Sequence, residues 1–262
     1  MSLQSFNYHT HTYLCGHAIG SAEEMIQAAI QGGFKTIGIS EHMGYEGWDD
    51  DKERIPYKEL DEYLSMMYAL KEKYKDVIDV YVGFESEFFY DCIEHLKYYK
   101  DKCDYLICGQ HAYDRKEHYY DKSPYDRDEY IEYMAEQICD GIKLGLYKYI
   151  AHPDYFLLSG CEYSPRKKEA MRKIAQCAKE YDVVLEINLK GTKYGKKMYS
   201  FGESYMYPNK ETFRIIGEVG AKVCFGYDAH HPNSLKDRRK IEYEIKEQFK
   251  DFNLQFVEDL KL

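Results

Sequence analysis

The chain has 262 residues, 44% of them hydrophobic and 31% charged, with a formal net charge of −10. The apolar content is sufficient for one globular domain over residues 1–262, and no run of eighteen apolar residues predicts a membrane-spanning helix. The acidic balance argues against a nucleic-acid partner and against an anionic membrane surface, but it allows a phosphorylated substrate where bound metal ions dominate the local field.

The eight cysteines form no Cys-x-x-Cys pair, and no basic segment followed by an apolar one opens the chain. Without a predicted signal peptide, cysteines in a chain of this length are typical of reduced thiols. We therefore expect a cytoplasmic protein. The oligomeric state does not follow from the sequence pattern.

Short β-rich apolar runs alternate with polar segments of helical periodicity along the whole chain. The predicted strands cover 6–12, 35–41, 77–87, 104–111, 147–152, 183–189 and 222–228. The predicted helices cover 21–32, 57–75, 91–101, 126–145, 164–181, 208–219 and 237–249, and the longer predicted loops cover 43–56, 112–125, 155–163 and 190–207. This alternation predicts a parallel sheet, which at this length favours a closed barrel over an open doubly wound sheet. The sequence has no Gly-x-Gly-x-x-Gly motif, which counts against a nucleotide-binding open sheet.

Polar residues gather at the ends of the predicted strands, where parallel barrels place their chemistry. The first strand ends in His9-x-His11, and side chains two apart on a strand point to the same face. The later strands end in Glu41-His42, Glu85, His111, His152, Glu186-x-Asn188 and Asp228-x-His230. Seven of the ten histidines lie at or just beyond these ends. One such histidine is more often a hydrogen-bonded rim residue, but the set together predicts a metal cluster, because burying so many unpaired polar groups is costly.

The order of these motifs, from His9-x-His11 to Asp228-Ala229-His230, resembles the PHP (polymerase and histidinol phosphatase) family, most closely its histidinol-phosphate phosphatase branch. The resemblance implies an α/β fold, a distorted (β/α)7 TIM-like barrel of the PHP type, with up to three divalent transition metals. Zinc, iron and manganese are the metals that imidazole-rich sites favour. The implied ligands are His9, His11, Glu85 and Asp228 for one metal, Glu85, His111 and His152 for a second, and His17, His42 and His230 for a third.

The resemblance also implies an activity. The expected reaction is hydrolysis of a small phosphomonoester, most closely L-histidinol phosphate of histidine biosynthesis, by a hydroxide that bridges two metals. Glu85 and Asp228 are the expected catalytic carboxylates, with Asp228 orienting or deprotonating the water. His230 or His42 is the expected helper of the leaving alkoxide.

The substrate contacts are less well determined by the sequence. Arg166, Arg115, Lys190 and Lys193 are candidates for the phosphate and Tyr113 for the pocket wall, although surface charge or packing explains each equally well. The loop after the sixth predicted strand offers lysines where the branch typically carries an arginine, and lysine cannot make the bidentate fork. Two alternatives therefore stay open: a PHP phosphoesterase that acts on another substrate, such as a nucleotide or a phosphotyrosine, and a non-catalytic metal-binding PHP module.

Overall fold

A parallel sheet forms the centre of the fold in the computed structural model, which describes residues 3–48, 53–116, 119, 127–260 and 262. Within these residues the sheet has eight strands. In sheet order they are β1 (Phe6–Asn7), β2 (Thr36–His42), β3 (Asp79–Ser86), β4 (Tyr105–Cys108), β5 (Tyr149–Ile150), β6 (Val184–Asn188), β9 (Lys222–Gly226) and β10 (Gln255–Phe256). The strands from β1 to β6 and β9 correspond to the seven predicted from the sequence.

The sheet curls until its first strand meets its last long one. Just beyond β1 and β9, Thr10 and Ala229 form a parallel bridge. The His11 amide donates to the Ala229 carbonyl at 2.9 Å, and the Ala229 amide donates to the His9 carbonyl at 3.2 Å. These bonds set His9-x-His11 beside Asp228-x-His230, so the TIM-like barrel predicted from the sequence is confirmed.

Helices cover the outside of the sheet, close to their predicted bounds. They are α1 (Ala22–Gln31), α2 (Leu60–Tyr74), α3 (Ile93–Lys100), α4 (Asp128–Lys143), α5 (Pro165–Glu180), α6 (Lys210–Val219) and α7 (Ser234–Gln248). The Ser21 hydroxyl accepts from the Glu24 amide while the Glu24 carboxylate accepts from the Ser21 amide, a complete capping box. Among the described residues, no helix has both the length and the apolar character that crossing a membrane requires.

The segment 190–207, predicted as a loop, is more ordered than expected. It contains a short 3-10 helix (Lys190–Tyr194) and an antiparallel hairpin, β7 (Lys196–Tyr199) and β8 (Gly202–Tyr205). Its sequence is too polar to show the alternation of a half-buried strand, because the hairpin lies outside the barrel. Parts of two other predicted loops, residues 49–52 and 117–126 apart from Tyr119, lie outside the described residues.

The amino-terminal end of the barrel is filled by packed side chains, here called the floor. Its buried members are Phe6, Tyr8, Tyr105, Ile107, Tyr149, Ala151, Val184, Cys224 and Leu260. The Tyr105 hydroxyl donates to the Tyr8 carbonyl at 2.6 Å, and the Tyr8 hydroxyl donates to Asp259 at 2.8 Å. A floor closed by aromatic rings leaves the opposite, carboxyl end as the open one.

Candidate metal centre and active site

Glu85, on β3, lies at the centre of the open end. It is buried, and its two carboxylate oxygens face five imidazoles, with contact distances from 2.9 to 3.3 Å. The imidazoles belong to His9, His11 and His42 on the Oε2 side and to His111 and His152 on the Oε1 side. Each oxygen thus belongs to a different group of nitrogens, which is the arrangement a carboxylate needs to bridge two cations.

Strand register explains how residues so far apart in sequence meet. His42 is the last residue of β2 and pairs directly with Glu85 on β3. His111 and His152 follow β4 and β5, the next two strands of the sheet. Because parallel strands end at the same edge, each contributes its terminal side chain to one place.

Asp228 and His230 complete the cluster from the far side of the sheet. The Asp228 Oδ1 atom lies 3.5 Å from His11 Nε2, 3.7 Å from His9 Nε2 and 3.0 Å from His230 Nδ1. His17 Nε2 lies 2.9 Å from His230 Nε2, a separation at which two imidazole nitrogens share either a proton or a cation. His17, His42 and His230 each place one ligand atom within 4.8 Å of the others.

The residues present fit a metal. In the part of the chain that the structure describes, five buried atoms of this cluster make no hydrogen bond of acceptable geometry. They are His9 Nε2, both ring nitrogens of His11, Glu85 Oε2 and His152 Nδ1. Unsatisfied buried polar atoms are costly, and three of the five, His9 Nε2, His11 Nε2 and Glu85 Oε2, face one another at 3.1 and 3.2 Å. Nitrogen and carboxylate donors in such a set suit zinc, iron or manganese.

The electrostatics favour the metal-binding forms of several ligands. Burial alone would raise the pKa of the Glu85 carboxyl, but the surrounding imidazoles hold it well below its usual range. Burial likewise opposes ionisation of Asp228, yet the Lys190 ammonium and the neighbouring imidazoles keep its pKa low. Burial lowers the pKa of His42 and His230 well below the usual value, so both are neutral. Ionised carboxylates and neutral imidazoles are the forms that bind metals.

His9 and His111 behave differently, because carboxylates flank them. Burial lowers the pKa of each, but Glu186 and Glu85 raise that of His9, and Glu85 and Glu87 raise that of His111 to about 9. The same carboxylates favour positive charge of any kind at this place, including that of a divalent cation.

Backbone strain coincides with the cluster. His152 and Asp228 have φ angles of 25° and 42°, in the left-handed region that residues other than glycine rarely adopt. Such conformations cost about 1–3 kcal/mol each and persist where a site requires them. Both residues are predicted ligands, and the strain directs them from the strand ends into the cluster.

Three buried glutamates lie behind the histidines, and none of them is among the metal ligands predicted from the sequence. Glu186 Oε2 lies 2.8 Å from His9 Nδ1 and Glu87 Oε1 lies 3.1 Å from His111 Nδ1, both hydrogen-bond distances. Glu41 Oε2 lies 3.7 Å from His11 Nδ1, which is too far for a hydrogen bond. A carboxylate on the second ring nitrogen fixes the tautomer and orientation of a metal-binding histidine. Their position could have identified them from the sequence, because all three glutamates lie at strand ends.

Glu87 has a second partner, Arg54. The guanidinium contacts Glu87 at 3.2 and 3.4 Å, donates to the Met43 carbonyl at 2.9 Å and stacks 3.7 Å from the centre of the Trp48 ring. Arg54 is buried and belongs to the loop between β2 and α2, so this contact ties that loop to the cluster. Nothing in its sequence neighbourhood pointed to this position.

A cavity of about 450 Å³ opens above the cluster. Lys190 and Lys193, two of the residues predicted to bind phosphate, line it together with Arg54, Tyr155, Tyr194 and Tyr207. Lys190 Nζ lies 3.2 Å from both Asp228 Oδ1 and His230 Nε2, and burial lowers the pKa of Lys193. Two cationic side chains therefore face the same space as the predicted metal ligands.

The other three predicted substrate contacts lie elsewhere. Arg166 is on the surface of α5, where its guanidinium binds both carboxylate oxygens of Glu132 at 2.7 and 2.6 Å. Arg115 binds Asp91 at 2.8 Å, outside the cavity. Tyr113 packs its ring on Tyr130 and Tyr133. These expectations need correction, because positive charge and aromaticity in the sequence do not indicate which face of an element a side chain occupies.

Comparisons with known proteins agree with the geometry. The PHP domain family matches residues 7–190. Proteins named "Probable histidinol-phosphatase" from Deinococcus radiodurans and Schizosaccharomyces pombe are each 25% identical, over 240 and 258 residues, and each alignment covers 87% of this chain. The two alignments cover 86% and 81% of the respective relatives.

A solved structure has the same fold. It is histidinol phosphate phosphatase from Lactococcus lactis, complexed with zinc, L-histidinol and phosphate. The superposition has a TM-score of 0.69 at 16% identity and covers 98% of this chain and 96% of that one. The family match spans most of the chain and includes seven of the nine predicted ligands, all except Asp228 and His230. The chain therefore belongs to the PHP domain family, within its class of metal-dependent phosphatases.

Proposed function

We propose that this protein hydrolyses L-histidinol phosphate to L-histidinol and phosphate at a centre of three divalent metals. The observation that carries the proposal is the position of Glu85, whose two oxygens face separate groups of imidazoles beneath a cavity with two lysines. The names of both curated relatives support the substrate. We also propose that residues 1–262 form one domain, since β10 pairs with β9 and Leu260 packs into the floor.

The proposed ligands are the nine predicted from the sequence: His9, His11, His17, His42, Glu85, His111, His152, Asp228 and His230. Divalent metals bound there would lower the pKa of a coordinated water and polarise the phosphoryl oxygens. The remaining roles belong to side chains. Asp228 accepts a proton from the attacking water through the oxygen that also contacts Lys190, and the lysine ammonium keeps this carboxylate ionised.

The lysines also prepare the cavity for a dianion. Lys190 and Lys193 both line it, and their charges offset those of a phosphate ester. As ammonium groups they bind phosphate as point charges, without the planar fork of arginine. His230 contacts Lys190 at the same edge, and we propose that its neutral ring N–H assists the leaving alkoxide by donating a hydrogen bond, while the alkoxide takes its proton from water.

The experiment that tests this proposal joins metal analysis with turnover. Purified protein is analysed for metal content, and phosphate release is measured from L-histidinol phosphate, a nucleoside monophosphate and phosphotyrosine. We expect bound transition metal, with the highest kcat/KM for L-histidinol phosphate. A higher kcat/KM for another ester would contradict the substrate. Bound metal without any phosphate release would contradict the enzymatic role and favour the metal-binding module.

A further inference from the structure

One wall of the cavity is a row of aromatic rings, here called the tyrosine row: Tyr155, Tyr207 and Tyr194. The Tyr155 and Tyr207 ring centres are 5.5 Å apart, and those of Tyr207 and Tyr194 are 5.8 Å apart. All three line the cavity, and Leu158 extends the same apolar wall. The row is therefore continuous, with each ring packed on the next.

The row has an inner end and an outer end. At the inner end, the Tyr155 ring packs edge-on against His111 at 5.1 Å and tilted against His152 at 4.9 Å, and both are proposed metal ligands. In the middle, Tyr207 is fully buried. At the outer end, Tyr194 is 41% exposed. The wall thus leads from the metal cluster to solvent.

The charged groups of the cavity fix how a phosphate ester would lie in it. The phosphoryl group belongs at the cluster, where Lys190 contacts Asp228 and His230. The alcohol part must then extend away from the cluster toward the mouth, and this path follows the tyrosine row. Aromatic faces prefer planar or cationic partners, and each ring pair adds an attraction to that from the burial of its area.

We propose that the tyrosine row selects the leaving group, so that this protein prefers phosphate monoesters whose alcohol carries a planar ring to esters of open-chain alcohols. The inference rests on the proposed phosphatase function and adds to it the residues that determine specificity. Tyr194 is the member best suited to a test. Its exposed ring can be removed with little effect on the core, and it lies further from the proposed ligands than Tyr155.

The experiment compares kcat/KM for L-histidinol phosphate, a ring-bearing ester, with that for glycerol 3-phosphate, an open-chain ester. In Tyr194→Ala, we expect the ratio of the two values to fall about three- to tenfold, the equivalent of one lost ring contact. The fall should appear mainly in KM for the ring-bearing ester. Tyr194→Phe, which keeps the ring, should restore the ratio. Tyr181→Ala is the matched control, because Tyr181 has the same 41% exposure and lies at the end of α5, outside the cavity.

The outcomes separate this inference from the function on which it rests. A wild-type protein that hydrolyses both esters equally well, or a ratio unchanged in Tyr194→Ala, would overturn the role of the tyrosine row and leave the phosphatase intact. An equal loss for both esters would also overturn it, since a merely structural role has that effect. Release of phosphate from neither ester by the wild-type protein would overturn the proposed function itself.

Discussion

The two ends of the barrel interior differ in whether their buried polar atoms have hydrogen-bond partners. At the floor, rings such as Tyr8, Tyr105 and Tyr149 are buried, and each of their hydroxyls has a hydrogen-bond partner. At the carboxyl end, His9, His11 and Glu85 are equally buried, yet ring nitrogens and a carboxylate oxygen within the described residues lack a partner. Buried polar atoms that have hydrogen-bond partners stabilise the fold. Buried polar atoms without partners mark the place where a ligand completes the structure.

Metal removal should have the largest effect, and it should act at the carboxyl end and not at the floor. Dialysis against a strong chelator should abolish phosphate release and lower the melting temperature, because a metal bound only by the folded state stabilises that state. Zinc, iron or manganese added back singly should restore both, and the metal that restores most turnover identifies the preferred one. Full activity in verified metal-free protein would contradict the metal centre. The measurements are elemental analysis, phosphate release and calorimetric melting.

Glu85→Gln tests the centre of the carboxyl end. The amide keeps the volume but loses the charge that faces five imidazoles. Because changes behind metal ligands already cost about 10- to 100-fold, loss of a bridging ligand should lower kcat/KM by more than about 100-fold. The metal count per chain should fall in the same samples. Near-normal turnover with a full metal count would refute the bridging role, and circular dichroism checks that the variant folds.

Glu87→Gln tests the layer of carboxylates behind the ligands. The variant weakens the contacts of Glu87 with both His111 and Arg54, so we expect a loss of about 10- to 100-fold in metal affinity, followed by activity. Metal titration of the apoprotein measures the first effect.

A matched control for this variant exists on the surface. Glu132 makes a comparable pair with Arg166, but both side chains are largely solvated. Glu132→Gln should leave metal affinity unchanged and should alter the free energy of unfolding by less than about 1 kcal/mol. Equal effects of the two substitutions on metal affinity would show that Glu87 does not act through His111.

Tyr105→Phe should give the smallest effect on activity and tests the floor. It removes the hydroxyl that donates to the Tyr8 carbonyl and leaves a buried acceptor unsatisfied. The free energy of unfolding should fall by about 1–3 kcal/mol, as measured by denaturant titration. Because the Tyr105 hydroxyl contacts the Tyr8 backbone and not a ligand side chain, kcat/KM and metal content should stay close to wild-type values. A loss of metal in this variant would show that the two ends are coupled.

Much of this arrangement was predictable from the sequence. The alternation of β-rich and helical segments predicted the barrel strands and the helices, because hydrophobic periodicity reports which side of an element is buried. Histidines and carboxylates at strand ends predicted the cluster of potential metal ligands for a similar reason, since parallel strands bring their ends to one edge. The family resemblance then grouped the ligands, and the structure brings all nine together.

The weaker predictions concerned side chains whose partners are distant in sequence. Arg166 and Arg115 carried the right charge for a phosphate, but Glu132 and Asp91 hold them away from the cavity. No pattern in the sequence around Arg54 predicts its contact with Glu87, and only the fold brings the two side chains together. The hairpin formed by β7 and β8 was missed because polar strands outside the core lack the usual alternation.

By itself, the sequence determined the order of strands and helices and the chemistry at each strand end, because both are local properties of the chain. Only the tertiary structure decided which groups touch. Gly109 illustrates the reason: a Cβ atom there would lie 2.1 Å from Glu85 Oε1, so the glycine makes room for the central carboxylate. Such a requirement arises between neighbouring strands and leaves no pattern along the chain, and the same holds for the buried carboxylates and the tyrosine row around the cluster.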